Sequence, residues 1–142
     1  MSRMTRDQAV FRLAEGVQAD LAACAEVQAL LERQFDAALR HRSDELAALA
    51  AALSPALDAM DARRQQRVTL VRALLGAQAT MNELIATLAG AARDELAANW
   101  GELEQMVIAC KAMTTRNSAL LAEQFSIMQR VLHGEEQVYA PR

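Results

Sequence analysis

Few side chains in this chain could do chemistry, and their spacing favours none of the usual reactions. His41 and His133 each lack a second histidine or a cysteine at ligand spacing. Neither therefore reads as a metal ligand or a phosphotransfer residue. Cys24 and Cys110 fit neither a CxxC pattern nor a zinc spacing. Both fall on apolar seam positions, so they read as buried reduced thiols, and a reducing cytoplasm is the compartment that implies. Glu102, Glu104, Glu135 and Glu136 are not arranged as an inward Glu-x-x-His metal motif. There is no Gly-rich phosphate loop and no nucleophile elbow. These residues predict no enzyme, no cofactor and no metal site. What remains is the chemistry of binding.

That chemistry concentrates in one stretch. With Leu120 at zero and 100° per residue, Met113, Asn117, Leu121, Gln124, Phe125, Met128, Val131 and Leu132 share one side of a helix, and Ile127 lies just beyond its edge. The stripe covers roughly 160°, against about 100° for an ordinary surface helix. A helix of this kind can pack on its own domain and still offer a ledge to another chain. The candidate partner-binding residues are Met113, Asn117, Leu120, Leu121, Gln124, Ile127, Met128 and Val131. Methionine is flexible and polarisable, so such a ledge suits an apolar partner helix laid into a groove. The other reading buries the whole stripe against an earlier helix. Asn117 and Gln124 are open to two uses: fixing helix register internally, or bonding a partner's backbone.

The elements that must position this stripe are all helical. The chain is 53% hydrophobic but only 4% aromatic, and is rich in Ala, Leu, Glu, Arg and Gln. Strand-favouring runs are absent. Thr5-Arg6-Asp7-Gln8 has capping-box spacing. From there an apolar seam runs in steps of three and four through Val10, Leu13, Val17, Leu21, Cys24, Gln28, Leu31, Phe35, Leu39, Arg42, Leu46, Leu49 and Leu53. The expectation is one long helix over about 5–75, kinked near Ser54-Pro55 and capped by Gly76. A connector over 77–90 carries Met81, Leu84, Ile85 and Leu88. A C-terminal helix spans about 92–133, with Trp100 as a core anchor, and residues 134–142 form a polar tail. The predicted fold is all-α. Two long antiparallel helices and a short connecting helix make one hairpin or bundle with coiled-coil character, a single domain over 1–142.

Net charge is -3, with 15 basic and 18 acidic residues intermixed. No basic face stands out, which argues against nucleic acid. Arg63, Arg64 and Arg67 read as a solvated helix face. No apolar run approaches the roughly 20 residues that span a membrane, and the charged N-terminus does not read as a signal peptide.

Three features together resemble the flagellar export chaperone family FlgN. The first is Leu30-Leu31-Glu32-Arg33-Gln34-Phe35-Asp36-Ala37-Ala38-Leu39, leading to Asp44-Glu45-Leu46-Ala47-Ala48-Leu49. The second, Arg67-Val68-Thr69-Leu70-Val71-Arg72-Ala73-Leu74-Leu75-Gly76, is similar to the family's arginine, paired leucines and closing glycine. The third is Asn117-Ser118-Ala119-Leu120-Leu121, followed by Leu132-His133-Gly134 and Tyr139. The resemblance implies a cytoplasmic, non-ATPase chaperone of flagellar type III protein export. Its clients would be the hook-filament junction (hook-associated) proteins, bound by their C-terminal helical segments, kept unassembled and delivered for export. Components of the export gate or the export ATPase are further implied partners. The heptads also leave room for a homo-oligomer. The alternative from the residues alone is a structural coiled-coil stalk or adaptor of a secretion apparatus, whose resting oligomer would saturate the stripe.

Overall fold

The computed structural model describes residues 4–139, with side chains through residue 134. The described residues form four helices: α1 (Arg6–Leu39), α2 (Ser43–Leu75), α3 (Met81–Ala86) and α4 (Gly90–Tyr139). The fold is all-α, as composition predicts. The capping box at the start of α1 is present: Thr5 Oγ1 accepts the Gln8 N–H at 3.1 Å, and Gln8 Oε1 accepts the Thr5 N–H at 2.9 Å.

The expected 5–75 helix is two helices, broken at Arg40–Arg42 and not at Ser54-Pro55. His41 takes φ 55°, the left-handed conformation. The Arg42 N–H donates to Ala37 O at 2.9 Å and the His41 N–H donates to Ala38 O at 3.2 Å. This pair of bonds is a Schellman stop with histidine where glycine is usual. The seam hides it, because Leu39, Arg42 and Leu46 continue the three-four spacing straight across the turn. Pro55 lies inside α2 on an exposed face, where the Ala51 carbonyl it leaves without a helical partner can meet water. Gly76 ends α2 as predicted, at φ 112°, with its N–H on Arg72 O.

The break changes the topology. α2 folds back antiparallel on α1, which sets Asp20 against Arg63 and Arg67. The predicted connector is α3, whose N-cap Thr80 accepts the Glu83 N–H and whose Met81, Leu84 and Ile85 are buried. It reverses the chain a second time, so α4 runs parallel to α1. The expected antiparallel pairing was between the 5–75 helix and the C-terminal one; instead α4 runs parallel to α1, and the antiparallel partner of α1 is α2, the second half of the expected single helix. Both α2 and α4 pack on α1, and their own backbones stay apart. Two core clusters result. One joins Leu13, Val17 and Cys24 to Val71, Leu84, Leu96 and Leu103. The other joins Val27, Leu30 and Leu31 to Leu49 and Leu53. Each fully buried Leu or Val contributes roughly 1.5–3 kcal/mol.

α4 is also longer than expected. It passes through Gly134 to Tyr139; a single glycine weakens a helix by about 1 kcal/mol but does not stop it. The predicted tail is helical as far as Tyr139. The side chain of Tyr139, the prolyl residue Pro141 and the rest of 140–142 lie outside the described residues.

The turn at His41 gives a direct check. His41→Val forces a β-branched residue into the left-handed region and is expected to lower unfolding free energy by about 1–2 kcal/mol. His41→Gly is expected not to lower it. Urea unfolding of the two variants measures the difference.

Candidate functional site

The contact between α1 and α4 is built on a repeat. Cys110 Sγ lies 4.0 Å from Cys24 O, Asn117 Nδ2 donates to Leu31 O at 2.8 Å, and Gln124 Nε2 donates to Ala38 O at 2.8 Å. Each rung is seven residues beyond the last on both helices, which is the step of a parallel coiled coil. Every rung places a polar α4 side chain on an α1 carbonyl. The Asn117 rung is the most elaborate. Its amide also donates to Gln34 Oε1, and its Oδ1 accepts from Arg116, which reaches on to Glu32 and stacks 3.9 Å over the Phe35 ring. Asn117 is 2% exposed, and no buried side-chain polar atom among the described residues is left unpaired. Gln124 caps one of the last carbonyls of α1, a group that a helix end leaves without an intrahelical donor.

Past Gln124 the partner is gone. α1 stops at Leu39, whereas α4 runs on from Phe125 to Tyr139, roughly 22 Å of helix at 1.5 Å per residue. On that projecting end Phe125 (62% exposed), Ile127, Met128, Val131 (58%) and Leu132 all stand in solvent. The heptad continues there after the helix that would cover it has ended.

The eight sequence-predicted residues therefore fall into two groups. Met113 packs against the second core cluster, Leu120 and Leu121 are half-buried, and Asn117 and Gln124 bond to α1. Ile127, Met128 and Val131 are exposed on the projecting end. In the free chain both amides serve the internal register. Phe125 and Leu132 belong with the exposed group. The spacing Leu121, Phe125, Met128, Leu132 is the signal that marks them.

The arginine cluster also differs from expectation. Arg67 is 8% exposed, and with Arg63 it grips the buried carboxylate of Asp20. Its guanidinium also sits 5.3 Å from the Trp100 ring. Only Arg64, paired with Asp61 at 3.0 Å, matches the solvated reading. Asp20 was not legible as a partner because it lies among alanines, 43 residues before Arg63. Breaking a buried pair of this kind leaves uncompensated charge and costs about 3–5 kcal/mol.

Cys24 and Cys110 are free thiols. Burial, reinforced by the neighbouring Cys110 and Asp20, pushes the Cys24 thiol up from 9.0 to about 11. Burial also raises Cys110. Both stay protonated and poorly nucleophilic at neutral pH. Among the described residues no group of three or more His, Cys, Asp or Glu could hold a metal ion, and no helix is long and apolar enough to cross a membrane.

Comparison with known proteins gives one result. The family profile described as FlgN protein matches residues 1–134. No curated protein and no solved structure matches.

Two outcomes are expected from this geometry. Asn117→Ala removes the central rung and should lower unfolding free energy by about 1–3 kcal/mol in urea titration. Cys24 has a higher pKa folded than unfolded, so its contribution is complete below pH 9 and is lost as pH rises towards 11. Melting temperature should fall across that window, and Cys24→Ala should fall less steeply.

Proposed function

The chain belongs to the FlgN family, and from that premise we propose that it is a cytoplasmic flagellar type III export chaperone that receives client helices on the projecting end of α4. Membership carries a role of the flagellar export chaperone kind, in a chaperone family and not an enzyme family. The clients in this reading are the hook-filament junction proteins, bound through their C-terminal helical segments.

The observation that carries the reading is the unpaired apolar end of α4, where Phe125, Ile127, Met128, Val131 and Leu132 are exposed beyond the last rung of the ladder. A contiguous apolar surface of this kind on a free chain is the signature of an interaction site. Its chemistry suits one type of partner. The α1–α4 seam is already a helix-on-helix contact, and a client helix placed end-on to α1 would continue the same heptad. The client would thereby bury its own apolar stripe, the part that otherwise drives assembly or aggregation. Methionine at the centre of the surface lets it adapt to two related clients. Each anchor buried contributes roughly 1.5–3 kcal/mol before ordering costs. A few anchors reach the about -8 kcal/mol of micromolar binding, which is tight enough to escort and weak enough to release.

Calorimetric titration with the C-terminal segments of the hook-filament junction proteins of the same organism tests this. Saturable binding is expected, lost in Met128→Asp and in Val131→Asp. Both positions are exposed, so melting temperature should stay within about 1–2 °C of the parent, as for surface substitutions worth ±0.5 kcal/mol. Absence of binding to either segment by the folded parent would reject the reading.

A further inference from the structure

Between α2 and α4, on a floor formed by α1, an open groove of about 490 Å³ runs past Asp20. Met60 comes from α2, and Trp100, Leu103, Val107 and Ile108 come from α4. The groove exists because the α2 and α4 backbones both pack on α1 and stay apart from each other, meeting only through side chains such as Arg67 and Trp100. Ile108 stands in it 59% exposed.

The rims carry charge in an ordered way. On the α2 side Asp61 and Arg64 already neutralise each other. On the α4 side Glu104 and Lys111 line the groove, and neither has an ion-pair partner among the described residues. They are seven residues apart, hence at nearly the same angle on the helix and roughly 10.5 Å apart along its axis. Val107 and Ile108 lie between them. The complement of this surface is a helix that presents a cation, an apolar centre and an anion in the opposite order. α4 itself, run antiparallel, is such a helix.

We propose that the α2–α4 groove is the two-fold interface between two copies of this chain. The α4 helices cross antiparallel, with Glu104 of each copy against Lys111 of the other and Val107 and Ile108 meeting at the axis. A two-fold contact requires a self-complementary patch, and the Glu104, Ile108, Lys111 order meets that requirement. The α2 helices flank the crossing, so the assembled core is a four-helix layer of two α2 and two α4 segments, with an α1 behind each pair. The projecting ends from Phe125 onward lie outside the crossing. Self-association thus leaves the proposed client surface free, and this inference does not rest on the chaperone reading.

Sedimentation equilibrium of the full chain over roughly a hundredfold range of concentration reads the dimer directly. The parent is expected to dimerise. Lys111→Glu places like charges opposite each other and should raise the dimer dissociation constant at least about tenfold, as should Glu104→Lys. The double variant Glu104→Lys with Lys111→Glu restores the opposite pairing and should return to within about threefold of the parent. Both positions are exposed, so circular dichroism should be unchanged. Trp100 is the chain's single tryptophan and lines the groove, so its emission should move to the red as the parent is diluted and stay red in Lys111→Glu. A parent that stays monomeric across the range overturns the proposal, and so does a double variant as dissociated as the single ones. Client titration of Lys111→Glu keeps the two readings apart, because binding there should survive loss of the dimer.

Discussion

Three α4 side chains on three α1 carbonyls, spaced by one heptad each, hold this structure in register. A seam of leucine, valine and alanine alone is nearly indifferent to a slip of a few residues, since another apolar side chain arrives at each position. Amides are not indifferent. Displaced along the seam, Asn117 would lose Leu31 O and Gln34 and leave its own buried polar atoms unpaired, a loss of about 1–3 kcal/mol. The ladder therefore fixes where α4 lies along α1. With α1 ended by the turn at His41, it also fixes how much of α4 is left over.

The projecting end follows from that arithmetic. A free helix of its length would be marginal in water, because nucleation is unfavourable. Here nucleation has already occurred in the part of α4 that packs on α1, and the end only propagates it. The chain can thus hold a preformed apolar helix in solvent, and a partner docking there would not have to supply the cost of forming that helix. The same division accounts for the fate of the predicted binding residues. Those N-terminal to Phe125 are used by the fold, and those after it stay exposed. The cluster of buried Asp20 and Arg67 with half-buried Arg63 acts at the other junction. It ties α2 to α1 while Arg67 stacks on Trp100 of α4, so both flanking helices are referred to the same central one.

Much of this was legible in the sequence. Composition and three-four periodicity are properties of the backbone's own geometry, so the helical class, the capping box at Thr5, the connector with Met81, Leu84 and Ile85, and the cap at Gly76 could be read directly. The breadth of the α4 stripe was compatible with an exposed ledge and equally with burial against an earlier helix, and only the end of α1 at Leu39 decides between them. Direction was harder to read. The stop at His41 carries no glycine, and the seam keeps its phase across it, whereas Pro55 advertises a break that an exposed helix face absorbs. Misplacing that one reversal changes the pairing of α4 from parallel to antiparallel. The roles of Asn117 and Gln124 depend on which carbonyls lie opposite, and that is a product of the register, not of local sequence. Arg67 likewise looks like any helix-surface arginine until α2 is folded back on Asp20.

The central claim is that α4 is clamped to α1 as far as Gln124 and free beyond it. Hydrogen–deuterium exchange resolved along α4 tests it most directly. Amides facing α1, through residues 103–124, should show protection approaching that of global unfolding. Amides of 125–134 should exchange far faster in the free protein and slow on addition of a client C-terminal segment. Uniform strong protection along the whole of α4 in the free protein would contradict the account, because it would mean that the projecting end is already covered.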